Sequence, residues 1–156
     1  RNARRSIRIA NPSSTPPRGA RRALHNAARR GVQVEVIVPE WGDLVTAHFA
    51  SHRLFDRLLR DGVRLFLWPD AVMHAKTAVI DGVWSTVGSF NLDQRSMFHN
   101  LEVNLNVVDV DFGTRMEERF AADRERCREV SLFDWRLRAL GERFLERVCY
   151  LFRYWL

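Results

Sequence analysis

Short valine- and isoleucine-rich segments alternate with longer amphipathic segments in this chain, and that alternation limits the folds open to it. Strands are predicted at 6–10, 32–39 and 63–68. The helical segments between them end at Gly31 and Gly62, and glycine is a common terminator of helices. Strand–helix alternation of this kind predicts an α/β fold in which a mixed β-sheet is flanked by helices.

A hairpin is predicted in the middle of the chain. The strand-like runs HAKTAVI and VWSTVGS are separated only by Asp81-Gly82. An Asp-Gly pair between two such runs is a strong signal for a two-residue turn. The predicted register therefore places Ile80 opposite Val83.

Four polar side chains share one face of the sheet in that register: His74, Lys76, Ser89 and Asn91. Lys76 is the only lysine among 25 basic residues. Lysine supplies a compact charge, serine and asparagine supply oriented donors, and histidine can attack phosphorus or move a proton near neutral pH. Gly88 lets backbone approach closely at this point. The group is typical of a site for a phosphate ester.

Other interpretations of these residues are less favoured. A polar, solvent-facing hairpin explains an isolated His-x-Lys, but it does not explain Ser89 and Asn91 on the same face. The patch has no pair of carboxylates, so no divalent metal is predicted. His48 and His52 lie four apart on a predicted helix, but no glutamate follows His48, and a polar helix face is favoured over a metal site.

Charge is strongly uneven along the chain. The net charge is +6, and nine arginines precede the first acidic residue, Glu35. A basic block of this kind favours a polyanionic partner, either nucleic acid or an anionic membrane surface. Charge alone leaves both open, together with a plain solvated surface.

The region from about 111 to 156 is predicted to be a helical tail, with helices at 116–130 and 133–148. Near its end, apolar residues recur close to helical spacing beside arginines. The apolar part is too short to span a bilayer. Two interpretations stay open: a helix that lies in the membrane interface, or a terminal helix packed on the core or on another half of the protein.

One stretch resembles a known signature. The pattern His74-x-Lys76-x4-Asp81, followed by GSxN at 88–91, is similar to the HKD motif of the phospholipase D superfamily. The segments NLDxRS and NLE that follow resemble the run after the second HKD motif of bacterial cardiolipin synthases. The similarity extends over about 7–109 and implies a phospholipase D-like half-domain, with 1–156 as a single domain.

The resemblance implies a role for each residue at a matching position. His74 either attacks the phosphodiester to form a phosphohistidine or protonates the leaving alcohol. Lys76 and Asn91 bind phosphate oxygens, and Ser89 adds a hydrogen bond. Glu102 orients the histidine. No metal or cofactor is implied.

Two motif positions are assigned structural roles. The register places Asp81 in the turn, and Gly88 is assigned to the backbone of the motif. A complete active site in this superfamily uses two HKD motifs, whereas this chain carries one. Its start at Arg1 predicts a missing upstream half, and the alternative is a homodimer, as in small single-motif nucleases.

The resemblance therefore predicts a phosphatidyltransferase of the cardiolipin synthase kind. Its partners would be a phosphatidylglycerol-like phospholipid and an anionic membrane surface, with peripheral attachment to the cytoplasmic side of the bacterial inner membrane. Two alternatives remain: a phosphodiesterase or nuclease that acts on nucleic acid as a homodimer, and a non-enzymatic membrane-binding half.

Overall fold

A seven-stranded sheet forms the centre of the molecule. The computed structural model describes residues 2–12, 15–42, 45–69 and 73–152. The strands are β1 Ser6–Ala10, β2 Gln33–Pro39, β3 Arg64–Trp68, β4 Thr77–Ile80, β5 Trp84–Gly88, β6 Asn104–Val108 and β7 Arg128–Glu129. Their order is β6-β5-β4-β1-β2-β3-β7. The strands β1, β2 and β3 are parallel and the other pairs are antiparallel. The predicted mixed sheet is confirmed.

Helices cover both faces of this sheet. They are α1 Arg18–Arg29, α2 Val45–Arg60, α3 Gln94–Phe98, α4 Val110–Glu125, α5 Leu132–Arg136 and α6 Leu140–Leu151. The main core lies between the sheet and α1, α2 and α5, where Leu24, Phe55 and Trp135 pack on alternate strand residues. A smaller core under α4 contains Phe120, Ile37 and Phe66. The strand β2 thus buries both of its faces, which explains its continuous apolar run.

One carboxylate is buried on the α4 side of the sheet. Glu35, in the middle of β2, is 2% exposed. Nη1 atoms of Arg64 and Arg124 each lie 2.9 Å from its Oε1, and Nε of Arg8 lies 3.3 Å from its Oε2. A buried charge needs such partners, because desolvation without them is costly.

The tail departs from the prediction in three ways. The helix α4 begins at Val110, earlier than predicted, and the short strand β7 after it was not predicted. The second predicted helix, 133–148, is two helices, α5 and α6. The helix α6 packs on α2, which agrees with the interpretation of the tail as a terminal helix packed on the core. Cys149 is buried, whereas Phe144 and Leu151 on α6 are exposed. Within the part of the chain that the structure describes, no helix is long and apolar enough to cross a membrane.

Candidate active site

The HKD-like residues gather at the end of the sheet where β1 finishes. The strand β4 is antiparallel to β1, and Thr77 at its start pairs with Ala10 at the end of β1. His74 and Lys76 immediately precede β4. The strand β5 returns to the same edge, so the residues after Gly88 emerge beside them.

His74 and Lys76 are in direct contact. The Lys76 Nζ lies 3.1 Å from Nδ1 of His74 and donates to the His74 carbonyl oxygen at 3.1 Å. Because an ammonium group has no acceptor, Nδ1 must supply the lone pair in this contact. The ring proton of the neutral imidazole then lies on Nε2. The imidazole itself is exposed to solvent, so a phosphodiester can reach it.

The register of the hairpin differs from the prediction by one residue. Ile80 pairs with Trp84 and not with Val83, so the loop has three residues. Asp81 and Gly82 do adopt the positive φ values of a tight turn, 56° and 68°. Val83 joins the loop because its N–H returns to the Ile80 carbonyl at 3.1 Å and its carbonyl accepts from Asp109 N at 3.0 Å.

This shift means that simple strand alternation does not assemble the site. Gly88 N donates to the Lys76 carbonyl at 3.2 Å, so Gly88 and not Val87 lies opposite the lysine. The predicted register, which places His74 opposite Ser89, is therefore wrong. Ser89 enters the site instead from the irregular backbone after β5.

Ser89 holds Glu102 through its hydroxyl. The Ser89 Oγ donates to the Glu102 carboxylate and accepts from Val103 N at 3.0 Å. Asn100 Nδ2 also donates to Glu102, at 3.1 Å. Hydrogen bonds from Ser89, Ser96 and Asn100 lower the pKa of Glu102, and the charge of Lys76 lowers it further. Glu102 is therefore an anion at neutral pH, close to the site's lysine.

Asn91 is held by a residue that the sequence reasoning missed. Asn91 N donates to Ser96 Oγ at 3.2 Å, and Ser96 N donates to the capping carboxylate of Asp93 at 2.8 Å. Ser96 thus links the Asn91 backbone to Glu102. The Asn91 Oδ1 is buried and has no hydrogen-bond partner among the described residues. Ser96 lies within the segment NLDxRS, and only the resemblance of that segment to the cardiolipin synthases could have pointed to it.

Asn11 was also missed, although it follows β1 directly. Its side chain donates to the Phe90 carbonyl at 3.2 Å and accepts from Leu92 N at 3.0 Å. Asn11 is 5% exposed. It therefore fixes the backbone on both sides of Asn91. Its position at the carboxyl edge of a parallel strand was the available signal.

Gly88 allows a close approach, as expected, but the group that approaches it is the start of β6 and not a ligand. A Cβ at this position would overlap the side chain of Asn104 and the carbonyl of Val103. This close approach brings the segment that contains Glu102 next to Ser89.

Asp81 lies at the opposite end of the hairpin from His74. Its carboxylate accepts from the backbone N–H groups of Arg4, Arg5 and Ser6 at 2.9, 2.8 and 2.9 Å. Burial acts to raise the pKa of Asp81, but these three bonds and the charge of Arg5 outweigh it, and the pKa lies below its ordinary value. These contacts fasten the hairpin to the start of β1 and agree with a structural role.

His48 and His52 pack against each other and against aromatic rings. Their ring centroids are 3.9 Å apart, and His52 also packs against Phe55 and Trp135. Burial, with the charges of His48 and Arg138, lowers the pKa of His52 to about 3. No group of three or more metal-binding side chains occurs among the residues described.

Comparison with known proteins decides the family. Residues 1–124 match the family described as cardiolipin synthase, PLD-like domain. The chain belongs to this family, within the phospholipase D superfamily. The predicted membership of the phospholipase D superfamily is thereby confirmed.

Curated relatives of this PLD-like chain include two cardiolipin synthases. It is 34% identical to cardiolipin synthase A of Proteus mirabilis over 151 residues, which is 97% of this chain and 31% of the relative. It is 35% identical to cardiolipin synthase A of Erwinia tasmaniensis over 154 residues, again 31% of the relative. The chain thus spans about a third of the length of these enzymes.

Solved structures show the same fold. Nuc of Salmonella typhimurium, a phospholipase D family member, superposes with a TM-score of 0.71 at 24% identity and covers 83% of this chain and 84% of its own. Phosphatidylserine synthase of Haemophilus influenzae superposes with a TM-score of 0.73 at 16% identity and covers 97% of this chain and 40% of its own.

Proposed function

We propose that this chain supplies one half of a phosphatidyltransferase active site of the cardiolipin synthase kind. The observation that carries the proposal is the contact of an exposed histidine with the chain's one lysine, at 3.1 Å, in a PLD-like domain. The similarity to cardiolipin synthase A over nearly the whole chain supports phospholipid as the substrate class.

The reaction proceeds in two displacements at phosphorus. One histidine nitrogen forms a P–N bond while the P–O bond to the leaving alcohol breaks, and a second histidine donates a proton to that alcohol. The hydroxyl of a second lipid then attacks the phosphohistidine, gives its proton back to the second histidine, forms a new P–O bond and releases the imidazole. His74 takes one of these two histidine roles.

The neighbours of His74 stabilise the charge on phosphorus. Lys76 and Asn91 bind the non-bridging phosphate oxygens, where negative charge grows in the transition state. As Lys76 turns to the phosphate, Nδ1 of His74 becomes free to donate to a carboxylate. Glu102 is such a carboxylate: Ser89 holds it, and the charge of Lys76 lowers its pKa. A proton on Nδ1 leaves the Nε2 lone pair free for attack.

The second histidine comes from another PLD-like unit, which docks beside the site. The edge strand β6 and the segment before it expose large apolar side chains next to Glu102: Leu101, Val103, Leu105 and Val108. Leu101 is fully exposed and Val103 is 80% exposed. An apolar sheet edge of this size is unusual on an isolated surface and favours a protein partner. A unit that covers it closes the active site from one side.

We place this PLD-like unit at the cytoplasmic side of a bacterial inner membrane. Its bacterial relatives carry the name of a lipid-synthesising enzyme. The basic N-terminal block is complementary to the anionic phospholipids of such a membrane.

A homodimeric nuclease is the second candidate. The observation in its favour is that this chain and Nuc cover each other almost completely, at 83% and 84%. Two copies of this chain would then bring two His74 residues together, with nucleic acid as the phosphodiester.

A product assay separates the two candidates. The chain is incubated with phosphatidylglycerol vesicles or with single-stranded DNA, and its oligomeric state is recorded in the same buffer. Cardiolipin formation that His74→Ala abolishes supports the proposal, with His99→Ala, a second exposed histidine, as the matched control. His74-dependent cleavage of DNA without lipid products establishes the nuclease instead.

A further inference from the structure

A group of arginines meets on the helical face of the molecule, away from the HKD-like residues. Helix α1 contributes three of them and α2 three, of which Arg60 is paired with Asp56 at 2.7 Å. The other five form what is called the arginine groove: Arg18, Arg21, Arg22, Arg53 and Arg57. Two adjoining hollows of about 460 and 380 Å³ share three of these side chains. No aspartate or glutamate lines either hollow within the described residues.

These arginines differ in what they contact from the arginines on the sheet and on α5. Arginines on the sheet and on α5 are paired with carboxylates, as Arg64 is with Glu35, Arg128 with Glu40 and Arg136 with Asp56. No side chain of the arginine groove forms an ion pair with any residue that the structure describes. Five like charges that share a concave surface repel one another, and an anionic ligand relieves that repulsion.

One member of the groove has an unsatisfied buried atom. The Nε of Arg21 is shielded from solvent and has no hydrogen-bond partner among the described residues. Buried donors are normally paired. Guanidinium groups form bidentate hydrogen bonds to phosphate oxygens. A phosphate group in the groove therefore offsets the positive charge and accepts a hydrogen bond from this donor.

An aromatic side chain lines the same groove, and two exposed apolar residues follow it in the chain. Tyr150 of α6 lines one of the hollows. Leu151 and Phe152, the next two residues, are 73% and 59% exposed. Arginines beside exposed leucine and aromatic side chains are typical of surfaces that bind the bilayer interface. Single-stranded nucleic acid sites instead interleave aromatic rings among the basic residues, and Tyr150 is the one aromatic residue in the described lining of these hollows.

We propose that the arginine groove binds the headgroup phosphates of anionic phospholipids in a bilayer, with Leu151 and Phe152 inserted beside them. The helix α1 runs back from the end of β1, so its first residue, Arg18, lies at the edge of the sheet that carries His74. Docking through the groove therefore keeps the catalytic edge close to the lipid that it uses. The choice of phospholipid rests on the proposed function, but binding does not require turnover.

Vesicle sedimentation tests the groove directly. The chain is mixed with vesicles of phosphatidylcholine alone or of phosphatidylcholine with phosphatidylglycerol, and the bound fraction is measured at rising salt. The test variant is R18Q/R57Q. The matched control is R115Q/R119Q, which removes two exposed arginines of α4 on the opposite face of the sheet. A second pair of samples, His74→Ala and Leu151→Ser, separates docking from catalysis and from apolar insertion.

We expect binding only to vesicles that contain phosphatidylglycerol, and weaker binding as salt rises. R18Q/R57Q should weaken this binding about 30-fold, from the contribution of two basic residues at an anionic surface. R115Q/R119Q should change it less than about threefold, and His74→Ala should not change it. Leu151→Ser should weaken binding without altering its salt dependence.

Three results overturn the inference. Equal losses in R18Q/R57Q and R115Q/R119Q mean that net charge, and not the groove, attracts the membrane. Displacement from vesicles by inorganic phosphate at constant ionic strength means that the groove holds free phosphate. Binding of single-stranded DNA that R18Q/R57Q removes, without vesicle binding, assigns the groove to nucleic acid. If His74→Ala loses turnover but still binds vesicles, then membrane binding by the groove and catalysis at His74 are independent, and each proposal is tested by itself.

Discussion

Nδ1 of His74 and Nζ of Lys76 are 3.1 Å apart, so the site's one lysine contacts the imidazole directly. The charge of the same ammonium group lowers the pKa of Glu102, although the hydrogen bonds from Ser89, Ser96 and Asn100 lower it more. The lysine thus interacts with both a histidine and a carboxylate. We expect a phosphate that binds Lys76 to change both interactions and so to couple substrate binding to the state of the histidine.

Lys76→Arg tests whether a compact ammonium group is required. A guanidinium group is broader and planar, so it cannot occupy the space between Nδ1 and the phosphate in the same way. We expect product formation to fall about 100-fold, as when one preorganised charge is lost from a transition state. Initial rates with phosphatidylglycerol vesicles measure this. Arg115→Lys, the reverse change on the exposed face of α4, should leave the rate unaltered, and a fully active Lys76→Arg enzyme contradicts the assigned role.

Gly88→Ala tests the close approach of β5 and β6. The new Cβ overlaps the Asn104 side chain and the Val103 carbonyl, and backbone cannot give way cheaply. We expect a loss of about 3 kcal/mol in the free energy of unfolding and a melting temperature about 10 °C lower. Gly141→Ala, in helix α6 with no atom within 4 Å of the new Cβ, should stabilise by about 0.5 kcal/mol. Similar melting temperatures for both variants would rule out this role for Gly88.

Glu35→Gln tests the buried charge cluster. The amide leaves Arg64, Arg124 and Arg8 without their shared carboxylate under α4. We expect a loss of about 2 kcal/mol, because charge-assisted hydrogen bonds to a buried carboxylate are lost, while Arg8 and Arg64 keep Glu117 and Glu129 as partners. Denaturant unfolding measures it. Asp123→Asn, which breaks the exposed pair with Arg119 at 2.8 Å, should cost less than about 1 kcal/mol. Equal costs would mean that Glu35 is as well solvated as a surface residue.

Asp81→Asn tests the contact between the hairpin and β1 through its pH dependence. The folded pKa of Asp81 lies below its ordinary value of 3.8. Its stabilisation is therefore fully present above that value and is lost as the pH falls through the folded pKa. The difference in unfolding free energy between wild type and Asp81→Asn should be constant above about pH 5 and should shrink below pH 4. Other carboxylates titrate equally in both proteins and cancel. A difference that grows on acidification contradicts the contact.

The fold class was open to prediction because it depends on local pattern. Valine-rich runs and terminating glycines located β1, β2 and β3 to within one residue of their observed bounds. The hairpin turn was also recognised from Asp81-Gly82. Its register was not, because the position of Val83 depends on Asp109, which is distant in sequence and pairs with it only in the folded sheet.

The site was predictable in its residue types and not in its contacts. The HKD-like spacing pointed to His74 and Lys76, whose contact is short-range along the chain. Ser96 and Asn11 were missed because they act through backbone groups of a neighbouring segment, which no spacing rule reveals. Only the α1 part of the arginine groove was seen, as a basic block, since the groove forms where side chains of α1 and α2 meet in the folded chain.

The central claim is that His74 and Lys76 form a binding site for a phosphate group. The most direct measurement follows the imidazole resonances of the five histidines by NMR while inorganic phosphate is added to the chain at constant ionic strength. We expect the His74 resonance to shift with phosphate in the wild type and not in Lys76→Met. The resonances of His48 and His52 should stay unchanged in both proteins. A His74 resonance that is unaffected by phosphate, or that responds equally in Lys76→Met, would contradict it.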